Sequence, residues 1–367
     1  MQQRQDDMMV RQYSFRWLKG ALGPHTTIAG YVISALLLSV NAQAADTQNN
    51  IQPAKLFANL TDNCPTPDAF AIAPDGSLTL SCPNFANNKL QGELLSIAPN
   101  GEVAHLATIP TLNLTRKANP MGIAYDDNGD LYVADSRGIK HGRILKMSFD
   151  KNKLLNTEVI ASGINPNGLR YRDGAIYITQ LNMPNVKSSK NISAIYRFNA
   201  SDRNVKVANT LDDEQLIFSI ETQNPSIGFG LDGIAFSPNG TLFAANLGDS
   251  EVYQLTQDKH GNVTEHHLYA SLPNDTRIDG LAFDDEGNLY LAGFGLNQIF
   301  KITEQQQVIK LADYSDNDGS NGQIDQPADL IVYQDKLVIS NFDLMTNHGL
   351  RNSEHSKPYT LSYIELK

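Results

Sequence analysis

The sequence lacks the short motifs that identify several common enzyme classes. Its 367 residues contain no G-x-S-x-G nucleophile elbow, no H-E-x-x-H zinc-binding motif and no P-loop. The sequence therefore gives no motif-based support for a serine hydrolase, a zincin or a nucleotide-binding enzyme. Cysteine and tryptophan are scarce as well, since the chain has two cysteines and one tryptophan, Trp17.

The amino-terminal apolar run is too short to span a bilayer. It covers residues 28–40, whereas a membrane-spanning helix needs about 20 apolar residues. Basic residues precede the run and Ala42-Gln43-Ala44 follows it, which is typical of a secretory signal with cleavage after Ala44. We therefore expect residues 1–44 to be a signal peptide rather than a membrane anchor, and the protein to be periplasmic or secreted. No cysteine follows the run, which excludes lipid attachment there.

The charge is strongly acidic. The formal net charge is −11, and loss of residues 1–44 removes four basic and two acidic residues, which makes the remaining chain more acidic. An acidic protein is poorly suited to nucleic acid or to an anionic membrane surface. The composition instead favours a soluble exported protein, which we expect to be a monomer, and it suits cation binding.

The two cysteines flank one predicted hairpin. Cys64 precedes its first strand and Cys82 ends its second strand, and these two ends are neighbours in an antiparallel pair. In an oxidising compartment we expect a disulfide, and closing a loop of this size stabilises a fold by ~3 kcal/mol in the chain-entropy model. The alternative is a pair of unrelated buried thiols.

A hairpin pattern repeats six times along the chain. In the second copy it begins Pro-Met-Gly-Ile-Ala-Tyr-Asp-Asp-Asn-Gly, from Pro120. Each copy has two short alternating strands around a turn that usually contains Asp-Gly or Asn-Gly, and the copies recur at intervals of 46 to 65 residues. The residues just before the six first strands are Asp68, Met121, Asn167, Asp232, Asp279 and Ala328. Strand repeats with such a period are typical of a β-propeller.

Each hairpin is followed by two more strand-like segments, so the sequence predicts an all-β, six-bladed β-propeller with four antiparallel strands per blade. The sixth repeat ends after its third strand, and the segment 54–60 supplies the missing fourth strand from the other end of the chain. Such a strand would close the ring and leave no open sheet edge. We expect a short linker over 45–53 and one domain over 54–367.

The long connections all fall on one predicted face of the propeller. They are the segments 110–119, 180–191, 211–230, 313–326 and 341–357. Long loops in a small domain usually carry binding or catalysis. The six residues before the first strands lie on the same face.

Four of these six residues bear side-chain oxygens that should converge on the channel axis: Asp68, Asn167, Asp232 and Asp279. Three carboxylates about 5 Å apart would repel one another by roughly 3 kcal/mol per pair. A shared proton or a hard cation would relieve the repulsion, and oxygen ligands without His or Cys favour calcium over zinc. The alternative is that these side chains cap the strand by accepting local backbone N–H groups.

These features resemble the senescence marker protein and gluconolactonase family, which is related in architecture to diisopropylfluorophosphatase, paraoxonase and strictosidine synthase. The resemblance covers residues 54–366. It implies an axial metal ion, usually calcium, held by Glu from the first blade and by Asn and Asp from later blades.

Individual residues match that pattern in part. Asp68 stands where the family has Glu, and Asn167-Gly168 matches the Asn-Gly ligand. Asp279-Gly280 or Asp232-Gly233 matches the Asp-Gly ligand, which in the family is also the proposed proton acceptor. Blade order favours Asp279 as the catalytic residue. The first blade lacks the family's Glu-Gly/Ser-Pro-x-Trp sequence, and Asp232 falls where the family tends to have Asn.

Further polar residues could support this site. Four of them end the second strands: Asp135, Gln180, Asn246 and Asn341. Their side chains could contact the metal ligands and orient them, or they could be ordinary turn residues. His348 and His355 in the last long loop are candidate bases, with solvated loop residues as the alternative. The segment 316–325 is rich in oxygen ligands but lacks the glycine and the closing Glu of a calcium loop.

The sequence therefore predicts an exported hydrolase of lactones or related esters that depends on calcium or another divalent cation. NHL-type repeats have almost the same hairpin sequence. The alternative is thus a non-enzymatic propeller that binds a protein, a glycan or a small ligand on the same face. Lyase or synthase chemistry is a third possibility.

Overall fold

In the computed structural model, the main regular secondary structure of the described residues is a set of six sheets built from antiparallel strands. The structure describes residues 48–112, 116–347 and 349–366. The predicted signal peptide, residues 1–44, and His348 lie outside the described residues.

Each sheet forms one blade whose strands follow one another in chain order. Blade 1 contains Phe70–Ile72, Leu78–Cys82, Glu93–Ile97 and Val103–Thr108. Blade 2 contains Pro120–Tyr125, Leu131–Asp135, Arg143–Asp150 and Lys153–Ser162. Blade 3 contains Leu169–Arg172, Ala175–Gln180, Ile192–Asn199 and Leu216–Glu221.

The second half of the ring repeats this arrangement. Blade 4 contains Leu231–Phe236, Leu242–Asn246, Glu251–Gln257 and Val263–Ser271. Blade 5 contains Ile278–Phe283, Leu289–Gly293, Gln298–Ile302 and Val308–Asp313. Blade 6 contains Pro327–Tyr333, Lys336–Asn341, Thr360–Glu365 and, from the start of the described chain, Lys55–Asn59. The prediction of six four-stranded blades is confirmed.

The strand from the amino-terminal side closes the ring. Lys55–Asn59 runs antiparallel to Thr360–Glu365, with Lys55 opposite Tyr363 and Asn59 opposite Thr360. The third strand of blade 6 is therefore covered, and the closure that the sequence predicts is confirmed.

Two short parallel strands extend other blades at their outer edges. Gln48–Asn49 pairs with Val308–Asp313 of blade 5, so part of the segment predicted as a linker is hydrogen-bonded to the propeller. Val205–Lys206 pairs with Lys153–Ser162 of blade 2. The helical elements described are two short 3₁₀ helices, Asn274–Thr276 and Ser320–Gly322. None of the helices in the described ranges has the length and apolar character needed to cross a membrane.

One predicted loop is wrong. The segment 211–230 contains the fourth strand of blade 3, Leu216–Glu221, which pairs with Ile192–Asn199. Its alternating Leu216, Phe218 and Ile220 give it the period of a strand. The long connection in this blade is instead the segment 200–215, between its third and fourth strands.

The core lies between neighbouring blades. For example, Tyr132 and Ile144 of blade 2 pack in one cluster with Ile178 and Tyr196 of blade 3, and all four are fully buried. Because each sheet buries both faces against its neighbours, the ring holds the first strands of all blades around one axis.

The predicted disulfide is present. Cys64 and Cys82 are bonded and both are fully buried in the cluster that blade 1 shares with blade 6. The bond ties the segment that enters blade 1 to the end of that blade's second strand.

Replacing both cysteines by alanine should lower the free energy of unfolding by ~3 kcal/mol, because the unfolded chain loses its loop constraint. Equilibrium denaturation with urea measures the loss. A reductant should destabilise the parent by a similar amount and leave the double variant unchanged. Equal stabilities of the oxidised parent and the double variant would contradict this expectation.

Candidate functional site

The first strands begin with a bulge at the rim of the channel. In blade 4 the pairing shifts between Leu231 and Ile234, and in blade 5 between Ile278 and Leu281. Blades 2 and 6 have the same shift. A bulge leaves residues outside the regular pairing and re-aims their side chains. Asp232 and Asp279 lie in these bulges.

Neighbouring blades touch through their backbones at these positions. A Cβ atom on Gly168 would lie 2.5 Å from the carbonyl oxygen of Asp232, and one on Gly233 would lie 2.0 Å from that of Asp279. Only glycine fits such distances. The Asn-Gly and Asp-Gly pairs of the sequence are therefore a packing requirement, and they hold the polar residues of adjacent blades side by side.

Hydroxyl groups on the second strands reinforce this contact. Thr179 Oγ1 accepts a hydrogen bond from the backbone N–H of Gly168 (2.8 Å) and donates to the carbonyl of Asp232 (2.6 Å). Ser340 Oγ donates in the same way to the carbonyl of Asp68 (2.6 Å), which joins blade 6 to blade 1. The carbonyl groups at the rim are thus fixed across the blade boundaries.

The structure brings the four predicted ligands together, and we call Asp68, Asn167, Asp232 and Asp279 the channel residues. They line a small void of about 20 Å³ inside the channel and also the floor of a larger cavity of about 450 Å³ above it. Asp68, Asn167 and Asp232 are buried and Asp279 is half-buried. The channel residues therefore lie at the boundary between the two spaces.

Contacts among the channel residues are side chain to side chain. Asn167 Nδ2 donates to Asp232 Oδ1 at 2.7 Å, and the carboxyl groups of Asp232 and Asp279 share a hydrogen bond. In the part of the chain that the structure describes, no backbone N–H donates to the side chain of any channel residue. This geometry does not support the alternative in which they cap their own strands.

Burial and mutual repulsion raise the pKa values of all three carboxyl groups. Burial raises the pKa of Asp232 to about 7. It also raises the pKa of Asp279 well above its usual value, and the charges of Asp232 and Asp68 add to this shift. The pKa of Asp68 is likewise well above its usual value, through burial and the charges of Asp329 and Asp232. When these carboxyl groups are ionised, the surrounding positive charges and hydrogen-bond donors do not balance their negative charge.

A fourth carboxylate, Asp329, also lines the void and was missed in the sequence. It accepts a hydrogen bond from the backbone N–H of Phe70 at 3.1 Å, and Arg170 Nη2 lies 3.8 Å from its Oδ1. Both interactions partly offset the effect of burial, which raises its pKa. The signal in the sequence is an Asp one position after Ala328, where four of the other five blades have glycine and blade 1 has Ala69.

The channel residues match a hard cation in chemistry and in the size of the void. Carboxylate and amide oxygens are the ligands that Ca²⁺ prefers, and a void of about 20 Å³ holds one small occupant. Within residues 48–112, 116–347 and 349–366, however, no three His, Cys, Asp or Glu side chains form a ready-made metal cluster. The side chain of Asp232 is instead hydrogen-bonded to the side chains of Asn167 and Asp279.

The predicted supporting residues lie at the ends of the second strands, as expected, and all four are buried: Asp135, Gln180, Asn246 and Asn341. Each of their side chains accepts a hydrogen bond from a backbone N–H group of a loop. Asp135 accepts from the N–H of Asn119 (2.9 Å), Gln180 from that of Asn165 (2.9 Å), Asn341 from that of Asp325 (3.1 Å) and Asn246 from that of Gly248 (3.1 Å). None of their described hydrogen bonds reaches a channel residue, so the contacts that the structure shows for them are with the loops.

Asp135 has an additional structural role. The Nε atoms of Arg137 and Arg143 both lie 2.9 Å from its carboxylate, and all three side chains are almost fully buried. Removing one member of such a buried group leaves an unpaired charge, which is strongly destabilising.

The candidate base His355 is tied to a loop. Its Nδ1 contacts the carbonyl group of Asp343, and its ring stacks on Tyr359. The side-chain hydrogen bond of Asp343 raises the pKa of His355. His355 does not line the cavity above the channel residues.

A second buried acid pair lies in the loops of blade 6. Asp325 is 1% exposed, and neither of its carboxyl oxygens has a hydrogen-bond donor among the described residues. It faces Asp343, which accepts from the side chain of Asn352 and the backbone of Ser356. Burial raises the pKa of Asp325 to about 8, with further contributions from Asp343, Asp316 and Asp318.

Asp325→Asn tests this pair. The pKa of Asp325 is higher in the folded chain than its ordinary value of 3.8, so the folded state binds the proton more tightly and the free energy of unfolding falls as the pH rises through about 8. Asparagine does not titrate. The variant should therefore gain stability relative to the parent as the pH rises from about 4 to about 8, measured by urea denaturation. The exposed Asp212→Asn is the control, and a pH-independent difference for Asp325→Asn would contradict the assignment.

Gly233→Ala tests the contact between blades. Its new methyl group would meet the Asp279 carbonyl, and overpacking of this kind costs about 1–3 kcal/mol. Gly228→Ala is the matched control, because a Cβ there meets no atom within 4 Å. Thermal and urea unfolding should separate the two variants, and equal stabilities would show that the rim tolerates a wider spacing.

Solved structures share this fold at low sequence identity. A gluconolactonase from Xanthomonas campestris is 18% identical, with 89% of this chain and 99% of that chain covered and a TM-score of 0.54. The PQQ-bound aldose sugar dehydrogenase from Streptomyces coelicolor is 15% identical, with 88% and 99% covered and a TM-score of 0.58. The calcium-binding protein regucalcin from Agrobacterium tumefaciens is 14% identical, with 86% and 94% covered and a TM-score of 0.56. These likenesses show the fold alone, since the three proteins differ in function.

Sequence comparison gives a more specific result. The sequence model described as the SMP-30/gluconolactonase/LRE-like region matches residues 113–315 of this chain. A search of the curated proteins finds no significant match.

Proposed function

Because this chain belongs to the SMP-30/gluconolactonase/LRE-like family, we propose that it hydrolyses lactones or related esters at the loop-rich mouth of the propeller channel. We propose further that the activity depends on a divalent cation, calcium first, and that the protein works in the periplasm or outside the cell. The disulfide supports the choice of an oxidising compartment.

One observation carries the catalytic proposal. The three carboxyl groups and the carboxamide of the channel residues line a common void, and the Asp232 carboxyl group interacts with the side chains of Asn167 and Asp279. A purely structural role gives no reason to keep such repelling charges together, because each would be more stable as a neutral residue. Functional sites are where pKa values are shifted in this way.

The channel residues Asp68, Asn167, Asp232 and Asp279 would hold the cation. When bound, a calcium ion supplies a Lewis acid that polarises a carbonyl oxygen and stabilises the negative charge that develops on it.

The chain's own side chains divide the remaining work. Asp279 accepts the proton of the attacking water and faces the cavity in which a substrate would lie. Asp232 holds the Asp279 carboxyl group by their shared hydrogen bond, and Asn167 fixes Asp232 from the other side.

Turnover in the presence and absence of the ion tests the proposal. The purified full chain should hydrolyse members of a panel of lactones and aryl esters, lose this activity with a chelator, and regain it when calcium is added. Asp279→Asn should lower kcat about 100-fold or more, because it removes the proton acceptor. The exposed Asp173→Asn, made as a control, should retain the parent's kcat.

Two results would contradict the proposal. Hydrolysis that is indifferent to chelation would remove the cation from the mechanism. A folded protein without turnover on any member of the panel would favour the non-enzymatic binding propeller.

A further inference from the structure

The cavity above the channel residues has a volume of about 450 Å³, which lies within the ~300–1,000 Å³ typical of small-molecule sites. It continues directly onto the channel residues, which form its floor. A substrate whose carbonyl group reaches Asp279 must therefore place the rest of its structure against the walls of this cavity.

Those walls are mostly hydrocarbon. Phe85, Phe294 and Phe342 form one continuous aromatic group, with ring centroids 6.3 Å apart for Phe85 and Phe342 and 5.9 Å apart for Phe294 and Phe342. Leu344 and Met345 extend the same wall, and Phe229 faces the cavity from the loop before blade 4. Polar side chains such as Arg277 and Asn347 are a minority of the lining.

Two of these rings are left partly open to the cavity. Phe85 is 38% exposed and Phe229 is 40% exposed. Large apolar side chains left exposed around a concave site commonly mark where a ligand is covered on binding. A polyhydroxylated sugar lactone would bury its hydroxyl groups against these rings without enough partners, which is costly.

Buried polar side chains hold the wall in place. Gln326 is fully buried, and its Oε1 accepts hydrogen bonds from the backbone N–H groups of Leu344 and Met345, both at 2.7 Å. Asn84, also fully buried, donates to the carbonyl of Gln91 at 2.6 Å and fixes the backbone next to Phe85. The apolar surface is therefore built before any ligand arrives, which lowers the cost of binding.

We infer that the substrate is a lactone or ester that carries a hydrocarbon group, an alkyl chain or an aromatic ring, and not a polyhydroxylated sugar lactone. This inference rests on the proposed hydrolysis at Asp279. The carbonyl group lies at the channel residues, and the hydrocarbon group packs against Phe85, Phe229 and Phe342.

The first experiment compares turnover of γ-butyrolactone, its γ-hexyl analogue and glucono-δ-lactone by the full chain with calcium. The hexyl group should raise kcat/KM about tenfold or more, because each buried methylene adds to transition-state binding. Phe85→Ser combined with Phe229→Ser should lower the ratio of hexyl to unsubstituted substrate. Leu268→Ser, a similarly exposed leucine on an outer strand of blade 4, should leave that ratio unchanged.

The second experiment needs no turnover. Calorimetric titration with the γ-hexyl lactam, which resists hydrolysis, should give binding that the unsubstituted lactam does not, and the Phe85→Ser, Phe229→Ser variant should weaken it. This pattern without any hydrolysis would support the apolar site and reject the proposed reaction. Preferred hydrolysis of glucono-δ-lactone, or equal kcat/KM for all chain lengths, would overturn the inference and leave the proposed reaction standing. Absence of both turnover and lactam binding would also overturn it.

Discussion

The positions of the channel residues depend on one contact, the direct approach of neighbouring backbones where the first strands begin. At Gly168 and Gly233 the adjacent blade is so close that a Cβ atom would not fit. The hydroxyl groups of Thr179 and Ser340 donate hydrogen bonds to backbone carbonyl groups of the neighbouring blade. Because the ring is closed by the strand Lys55–Asn59, no blade can move outward alone. The side chains of the channel residues therefore meet at the axis even though their charges oppose it.

The consequence is a cluster of carboxylates at the channel axis, in which some negative charges have positive or hydrogen-bonding partners and others do not. Asp329 accepts a hydrogen bond from the backbone N–H of Phe70 and lies near the Arg170 guanidinium, so its charge is partly compensated within the protein. Asp68, Asp232 and Asp279 are buried against one another, and their pKa values rise accordingly. A site of this kind is stabilised by any ligand that brings positive charge.

Much of this arrangement could be predicted from the sequence. The hairpin repeat, ring closure and the disulfide followed from local pattern and chain order, and the convergence of Asp68, Asn167, Asp232 and Asp279 followed from propeller geometry. Other features depend on contacts between distant segments. Asp329 lies one position out of the repeat, and Asp325 meets Asp343 only because two loops of blade 6 fold together. The strand Leu216–Glu221 is apolar, but polar segments on both sides of it favour a loop. The aromatic wall likewise joins Phe85, Phe294 and Phe342 from three blades, which no local pattern reveals.

Calorimetric titration of calcium into the chelator-treated chain tests the proposal that the channel residues share one cation. We expect one bound ion per chain, with binding abolished in Asp68→Ala combined with Asp279→Ala and retained in Asp173→Ala. Absence of binding, or binding that survives the loss of both carboxylates, would contradict it.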